Sequence, residues 1–274
     1  MYEFTILSRS ILKIEFVFSH LEFCRSLVAN LSYNIQDQYD GHHNPTGYIA
    51  LCVAENKLVT NILVDRCMQS GTASAAFADP QVYCYNSFLG MPVAREATAY
   101  FLQRWFLQPP STRINQSSHE PMQQQHINPE HIVLAVGASA ILNNLFFIVG
   151  DVGDACLIPA PYYVAFENDM NLMAGIVPFP VHSANPMLGP TESDLSLAYL
   201  QCKATGLNPR FLLLTNPHNP LGVIYRPHVM LKCVEWARKR LVHTIVDEIY
   251  ALSTHQVFWI CCTSFLSLFL RFVN

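Results

Sequence analysis

Charge is scarce in this 274-residue chain: Lys, Arg, Asp and Glu together make up 13% of it, about half the share found in an ordinary soluble domain. Neither a disordered chain nor a charged coiled coil fits that scarcity. Basic runs are missing too. With 16 basic against 20 acidic residues and a net charge of −4, the chain offers no electrostatic footprint for nucleic acid. Cysteines are present, at positions 24, 52, 67, 84, 156, 202, 233, 261 and 262, but no Cys-x-x-Cys pair occurs among them. That excludes the usual spacings of a metal knuckle or redox pair, and an odd count in a chain this large points to reduced thiols rather than a disulfide framework. Secretion is not expected either, because Glu3, Arg9, Lys13 and Glu15 interrupt the apolar stretch that a signal peptide needs. A cytoplasmic protein is the expectation.

What is present is apolar substance, 51% of the residues, enough for one large core or two modest ones. Residues 1–38 carry no periodic pattern and are left unassigned. Residues 39–253 read as a partial α/β domain. Leu58, Ile62, Leu63 and Cys67 fall near helical spacing within Glu55 to Ser70, and Val93, Ala97, Tyr100, Phe101 and Trp105 do so within Pro92 to Phe106. Pro92 suits a first helical position. The stretch 108–126 is rich in Pro, Ser and Gln and reads as a surface insertion.

Beyond it, short β-branched runs alternate with helical segments. Predicted strands are His131 to Val136, Cys156 to Pro159, Ile176 to Pro180, Phe211 to Thr215 and Val242 to Asp247. Predicted helices start at Ala138, about Tyr163, about Glu192 and Pro227. This order implies an α/β fold, a mostly parallel sheet with flanking helices. Such sheets bind ligands at the carboxyl ends of their strands, so the residues that follow Val136, Pro159, Thr215 and Val246 carry the functional question.

After Val136 comes Gly137-Ala138-Ser139, a small-residue turn into a helix, where backbone N–H groups and the helix dipole favour a phosphate. Any strand-to-helix turn can look like this. Pro159-Ala160-Pro161-Tyr162-Tyr163 stiffens the next strand end and presents an aromatic face, or packs a tyrosine into the core. Asn216-Pro217-His218-Asn219-Pro220-Leu221-Gly222 holds two Asn-Pro pairs, each Asn being driven out of the helical region by its proline, so that side-chain amides can point at a ligand. Asp247 ends an apolar strand three residues before Tyr250. A carboxylate there is costly unless paired with a cation or donors, unless it is simply a cap or a solvated strand end. Together these ends assemble a phosphate cradle, an aromatic plate, an amide, a carboxylate and a phenol. The set matches pyridoxal 5'-phosphate, whose pyridine nitrogen a buried Asp keeps protonated.

The chain resembles the class I/II aminotransferases of the fold-type I pyridoxal-phosphate family, and more narrowly the branch of 1-aminocyclopropane-1-carboxylate synthases and synthase-like proteins. The resemblance rests on Asn44 to Ile49, Ala54 to Leu58, Gly137 to Ser139, Gly153 to Ala155, Pro159 to Tyr163, Asn216 to Gly222 and Asp247 to Tyr250, in the family's order over about residues 40–253. It implies the large domain of such an enzyme. It also implies that Ala138 and Ser139 meet the phosphate, Tyr163 stacks on the ring, Asn219 and Tyr250 bond the ring oxygen and Asp247 pairs with the pyridinium. Glu55 aligns with a substrate-side glutamate; its structural alternative is a charge in the first turn of a helix. The implied partner is a small amino-acid substrate, not nucleic acid, and the full-length family implies a homodimer.

Two departures qualify that resemblance. Phe88 stands where relatives carry a tyrosine that reaches the neighbouring subunit's phosphate. The Ser-x-x-Lys of the Schiff-base lysine, the arginine after it and the small C-terminal domain have no counterpart; Lys57, Lys203, Lys232 and Lys239 all stand in other contexts. No catalytic residue is therefore assigned. Residues 254–274 read instead as an atypical apolar tail, with fourteen uncharged residues from Val257 to Leu270, short of the about 20 a membrane span needs. The expectation is an incomplete chain of a pyridoxal-phosphate transaminase or synthase-type lyase, with a non-catalytic binding or regulatory relative as the alternative and a membrane tether third.

Overall fold

The computed structural model describes residues 37–49, 58–69, 71–107 and 127–253. The chain divides into two units, residues 1–87 and 88–274.

In the first unit, Asp37 to Ile49 folds into a tight loop. Asp40 accepts hydrogen bonds from the backbone N–H groups of His42 and His43 at 2.8 and 2.7 Å, which lower its pKa. Asn44 Nδ2 donates to Asp37 Oδ1 at 2.8 Å. Gly47 is required by close approach, since a Cβ there would fall 2.6 Å from the Gln38 carbonyl oxygen. Helices α1 (Thr60–Met68) and α2 (Thr72–Ala78) follow. The sequence predicts α1, but not its surroundings: its apolar residues are exposed, Ile62 and Leu63 included, because no described residue of this unit covers that face.

The second unit starts with α3 (Pro92–Leu102), whose first residue is the predicted proline, and a π-helical turn carries it on to Leu107. Buried Arg95 fixes this helix, donating to the Pro129 carbonyl at 3.1 Å and pairing with Glu130 at 3.3 Å. His131 to Val136 does not form the predicted strand. His131 instead closes a 3-10 turn from Pro129, Leu134 N–H donates to the Leu89 carbonyl at 2.9 Å, and no described strand lies alongside to make a ladder.

From there the alternation is as predicted. Helix α4 (Gly137–Val149) leads to β1 (Asp154–Pro159), α5 (Phe166–Ala174), β2 (Val177–Val181), α6 (Glu192–Ala204), β3 (Asn208–Thr215), α7 (Pro227–Lys239) and β4 (His243–Asp247). The strands form a parallel sheet in the order β2-β1-β3-β4. Both faces of β1 are buried, and its period-2 alternation divides the core. Ala155 and Leu157 join Leu212, Leu214, Leu195, Met230 and Trp236 under α6 and α7. Cys156 and Ile158 join Phe211, Leu213, Phe146 and Met170 under α4 and α5. The result is a helix–sheet–helix sandwich.

Local signals set the helix ends. Thr191 and Asp194 close a capping box on α6, and Gly175, at φ 66°, ends α5 in the left-handed region. At the amino edge of the sheet, Asp154 accepts from the Asp151 N–H at 2.9 Å and from Asn208 Nδ2, and lies 3.5 Å from Arg210 Nε. Arg210 also donates to the Val149 carbonyl at 2.8 Å, tying the starts of β1 and β3 to the end of α4. Burial pushes the thiols of Cys202 and Cys233 up to about 11 and about 12, so these cysteines are apolar packing groups rather than nucleophiles.

Candidate active site

The carboxyl ends of β1, β3 and β4 and the amino end of α4 surround a cavity of about 310 Å³. Its lining includes all six residues that the sequence nominates as cofactor-binding: Ala138, Ser139, Tyr163, Asn219, Asp247 and Tyr250. Glu55 lies outside the described residues, as do the segments 108–126 and 254–274 and nearly all of 1–38. Phe88 is almost fully exposed in the second unit.

Each lining side chain arrives by a simple route. Gly137 opens α4 with φ +80°, and nothing stands within 4 Å of where a Cβ would project. The Gly137 N–H donates to the Ala135 carbonyl at 3.0 Å, and the next N–H groups of the first turn of α4 are unused by the helix, a position that favours negative charge. Tyr163 follows the Pro159-to-Pro161 corner. Its ring is 43% exposed and stands edge-on to Phe166 with centroids 5.4 Å apart, so it faces the cavity instead of serving as a core tyrosine.

The two Asn-Pro pairs have separate tasks. Asn216 is 1% exposed and accepts from the Tyr225 N–H at 2.8 Å, while its own N–H donates to the Asp247 carbonyl at 2.9 Å. It holds the loop against β4. Asn219 is left to face the cavity, donating from Nδ2 to the Tyr250 hydroxyl at 3.0 Å. The phenol of Tyr250 thus has its oxygen held and its proton free to donate. His218 is buried against Tyr225, ring centroids 5.2 Å apart, and burial lowers its pKa.

Asp247 ends β4 and accepts from the Ile249 N–H at 3.0 Å. Burial raises its pKa despite that bond. A second acid, Asp169 in the first turn of α5, also lines the cavity. It is 7% exposed, accepts from Ser139 Oγ at 3.3 Å, and has its pKa raised by burial and by the charge of Asp247. Sequence reading missed Asp169, although its spacing of three from Phe166 on the same helix puts the two near one helical face.

No Lys, Arg or His is among the described residues that line the cavity. The donor set suits a flat ring with a cationic nitrogen against Asp247, an oxygen near Asn219 and Tyr250, and an anionic group at the mouth of α4. The anion would rely on helix N–H groups alone for positive potential.

Comparison with known proteins agrees with this geometry. The family described as aminotransferase class I and II matches residues 46–258. The human "Probable inactive 1-aminocyclopropane-1-carboxylate synthase-like protein 2" is 31% identical over 225 residues, covering 80% of this chain and 36% of that protein. The Arabidopsis thaliana "1-aminocyclopropane-1-carboxylate synthase 9" is 29% identical over 222 residues, covering 79% of this chain and 44% of that protein. The chain thus spans less than half the length of these relatives. Among solved structures, an archaeal alanine:glyoxylate aminotransferase superposes with a TM-score of 0.52 at 21% identity, over 70% of this chain and 42% of that one. An aminotransferase from Mycobacterium tuberculosis gives 0.51 at 20% identity, over 67% and 43%. These two likenesses concern the fold. Class I and II aminotransferases and 1-aminocyclopropane-1-carboxylate synthases depend on pyridoxal phosphate and act on amino acids. The chain belongs to the class I and II aminotransferase family.

Proposed function

We propose that the cavity binds pyridoxal 5'-phosphate and that the protein takes part in amino-acid chemistry of the transaminase or synthase type. The observation that carries this reading is the convergence of Ala138, Ser139, Tyr163, Asn219, Asp247 and Tyr250, drawn from four separate chain segments, on one cavity. When bound, the cofactor supplies an electron sink for a carbanion at the substrate's α-carbon.

The chain's own residues bind, orient and set charge. The backbone N–H groups of Ala138 and Ser139 receive the phosphate, aided by the α4 dipole. Tyr163 covers one face of the ring. Tyr250 donates its hydroxyl proton to the ring oxygen, and Asn219 keeps that phenol in place. Asp247, ionised, holds a proton on the ring nitrogen; its raised pKa in the unliganded cavity falls once a cation sits beside it. Glu55 is assigned to the substrate side.

A second reading is a non-catalytic relative that keeps the pocket and associates with another chain. It is favoured by the absence of any lysine from the described lining and by the human relative being named probably inactive. Lys203 lies over the ring of Tyr199 on α6, away from the cavity. Borohydride reduction of the pyridoxal-phosphate-loaded protein, followed by mass spectrometry, tests whether any lysine of this chain serves as a Schiff-base lysine. Without a covalent link, no single lysine carries a dominant pyridoxyl group. One stoichiometric adduct would instead identify a Schiff-base lysine and leave the catalytic reading alone.

A further inference from the structure

Asp169 has no role in the site as drawn so far. An acidic residue in the first turn of a helix is ordinarily a dipole partner at the surface, and Glu167 on the same helix fits that description, exposed and bonded by the Tyr162 hydroxyl at 3.1 Å. Asp169 differs. It is turned inward, 7% exposed, and its carboxylate accepts from Ser139 Oγ at 3.3 Å.

Ser139 has a single hydroxyl proton. While Asp169 is ionised, that proton points at the carboxylate, and Ser139 turns only lone pairs toward the mouth of α4. An anion arriving there meets those lone pairs and a carboxylate one residue away. Among the described residues, the titratable groups that line the cavity with Asp169 are Asp247 at the end of β4 and the phenols of Tyr163 and Tyr250, with no basic side chain beside them. Repulsion is therefore relieved by a proton. Protonated, the carboxyl donates to Ser139 Oγ, and the serine proton swings to the anion.

Resting on the cofactor reading above, we propose that Asp169 is a positioning residue which takes up one proton from solvent when an anionic group settles on the N-terminus of α4, and so releases the Ser139 hydroxyl to that anion. Burial and the charge of Asp247 already bias Asp169 toward its neutral form. Affinity for the anion is thereby coupled to pH through a residue that need not touch the ligand.

The test is the dissociation constant of pyridoxal phosphate, measured from pH 5.5 to 8.5 on the whole chain and on Asp169→Asn, whose amide mimics the protonated acid. The phosphate's own titration is common to both proteins and cancels in the ratio. The ratio of wild-type to variant constants should stay flat at the acid end, then rise toward a limiting tenfold per pH unit, as one linked proton requires. Calorimetry of the wild type with sodium sulfate, an anion with no titrating proton near neutrality, provides a second reading. Heats in two buffers of different ionisation enthalpy should report proton uptake. Parallel pH profiles, or buffer-independent sulfate heats, overturn the role of Asp169 while leaving cofactor binding intact. Absence of pyridoxal-phosphate binding by the wild type at every pH overturns the cofactor reading, and this role with it.

Discussion

Replacing Asp247 with Asn should move stability and binding in opposite directions. In the unliganded protein Asp247 is desolvated, its hydrogen bond from the Ile249 N–H does not offset that cost, and the described residues of the cavity lining offer no cation. Its folded pKa lies above its unfolded value. The native state then holds more protons than the unfolded chain between the two values, so this group's contribution falls as pH rises through that interval and stays unfavourable at neutral pH. Asn removes the penalty, and relief of a functional-site strain is worth roughly 0.5–2 kcal/mol. With a pyridinium in place the sign reverses. Losing one partner of a buried charge pair costs roughly 3–5 kcal/mol, and the lower end applies to a carboxylate only partly enclosed. At 1.4 kcal/mol per decade, about 3 kcal/mol weakens pyridoxal-phosphate binding about a hundredfold. Thermal unfolding without ligand and an absorbance titration with it, both at pH 7.5, measure the two effects. A variant that melts lower without ligand, or binds as tightly as the wild type, would refute the assignment of Asp247 as an unpaired carboxylate waiting for a cation.

Other substitutions separate binding from folding. Tyr250→Phe deletes the hydroxyl that Asn219 holds at 3.0 Å; it should weaken pyridoxal-phosphate binding by about 0.5–1.5 kcal/mol in the same titration and leave the melting temperature unchanged. Asp154→Ala strips the acceptor shared by the Asp151 N–H, Asn208 and Arg210, for a loss of about 1.5–3 kcal/mol in denaturant unfolding. Binding by the folded fraction should be unaffected, since Asp154 lies at the opposite end of the sheet. Trp236→Ala empties a 1% exposed core position and removes the Nε1–H bond to Ser196 Oγ at 2.9 Å. A cost of about 3–5 kcal/mol should follow, read by the same unfolding.

The parts of the fold legible in the sequence are those where one local signal decides. Pro92 and Pro227 mark helix starts by backbone chemistry confined to one turn, and the structure starts a helix at each. The apolar runs of β1 and β3 are strands because both faces are buried. His131 to Val136 has the same composition but no described partner, and a strand is defined by its neighbour rather than by its own residues. The candidate site is legible at the strand ends for a similar reason, since topology brings those ends together whatever the loops do. Asp169 escaped because it belongs to a helix, where an acid in the first turn has an ordinary explanation; only its inward direction distinguishes it from Glu167. Asn216 and Asn219 were alike on paper, and the bond from the Tyr225 N–H is what assigns the first to the loop and leaves the second for the cavity.

In the proposed function, one cavity at the ends of β1, β3 and β4 accepts pyridoxal phosphate through ring and phosphate together. Equilibrium dialysis of the whole chain against pyridoxal phosphate, with pyridoxal lacking the phosphate as the companion ligand, tests it most directly. Binding of pyridoxal phosphate should saturate at one per chain, reverse fully on dialysis, and exceed that of pyridoxal because the N-terminus of α4 has no anion to hold in the latter. Unsaturable uptake, or equal affinity for the two ligands, would contradict it.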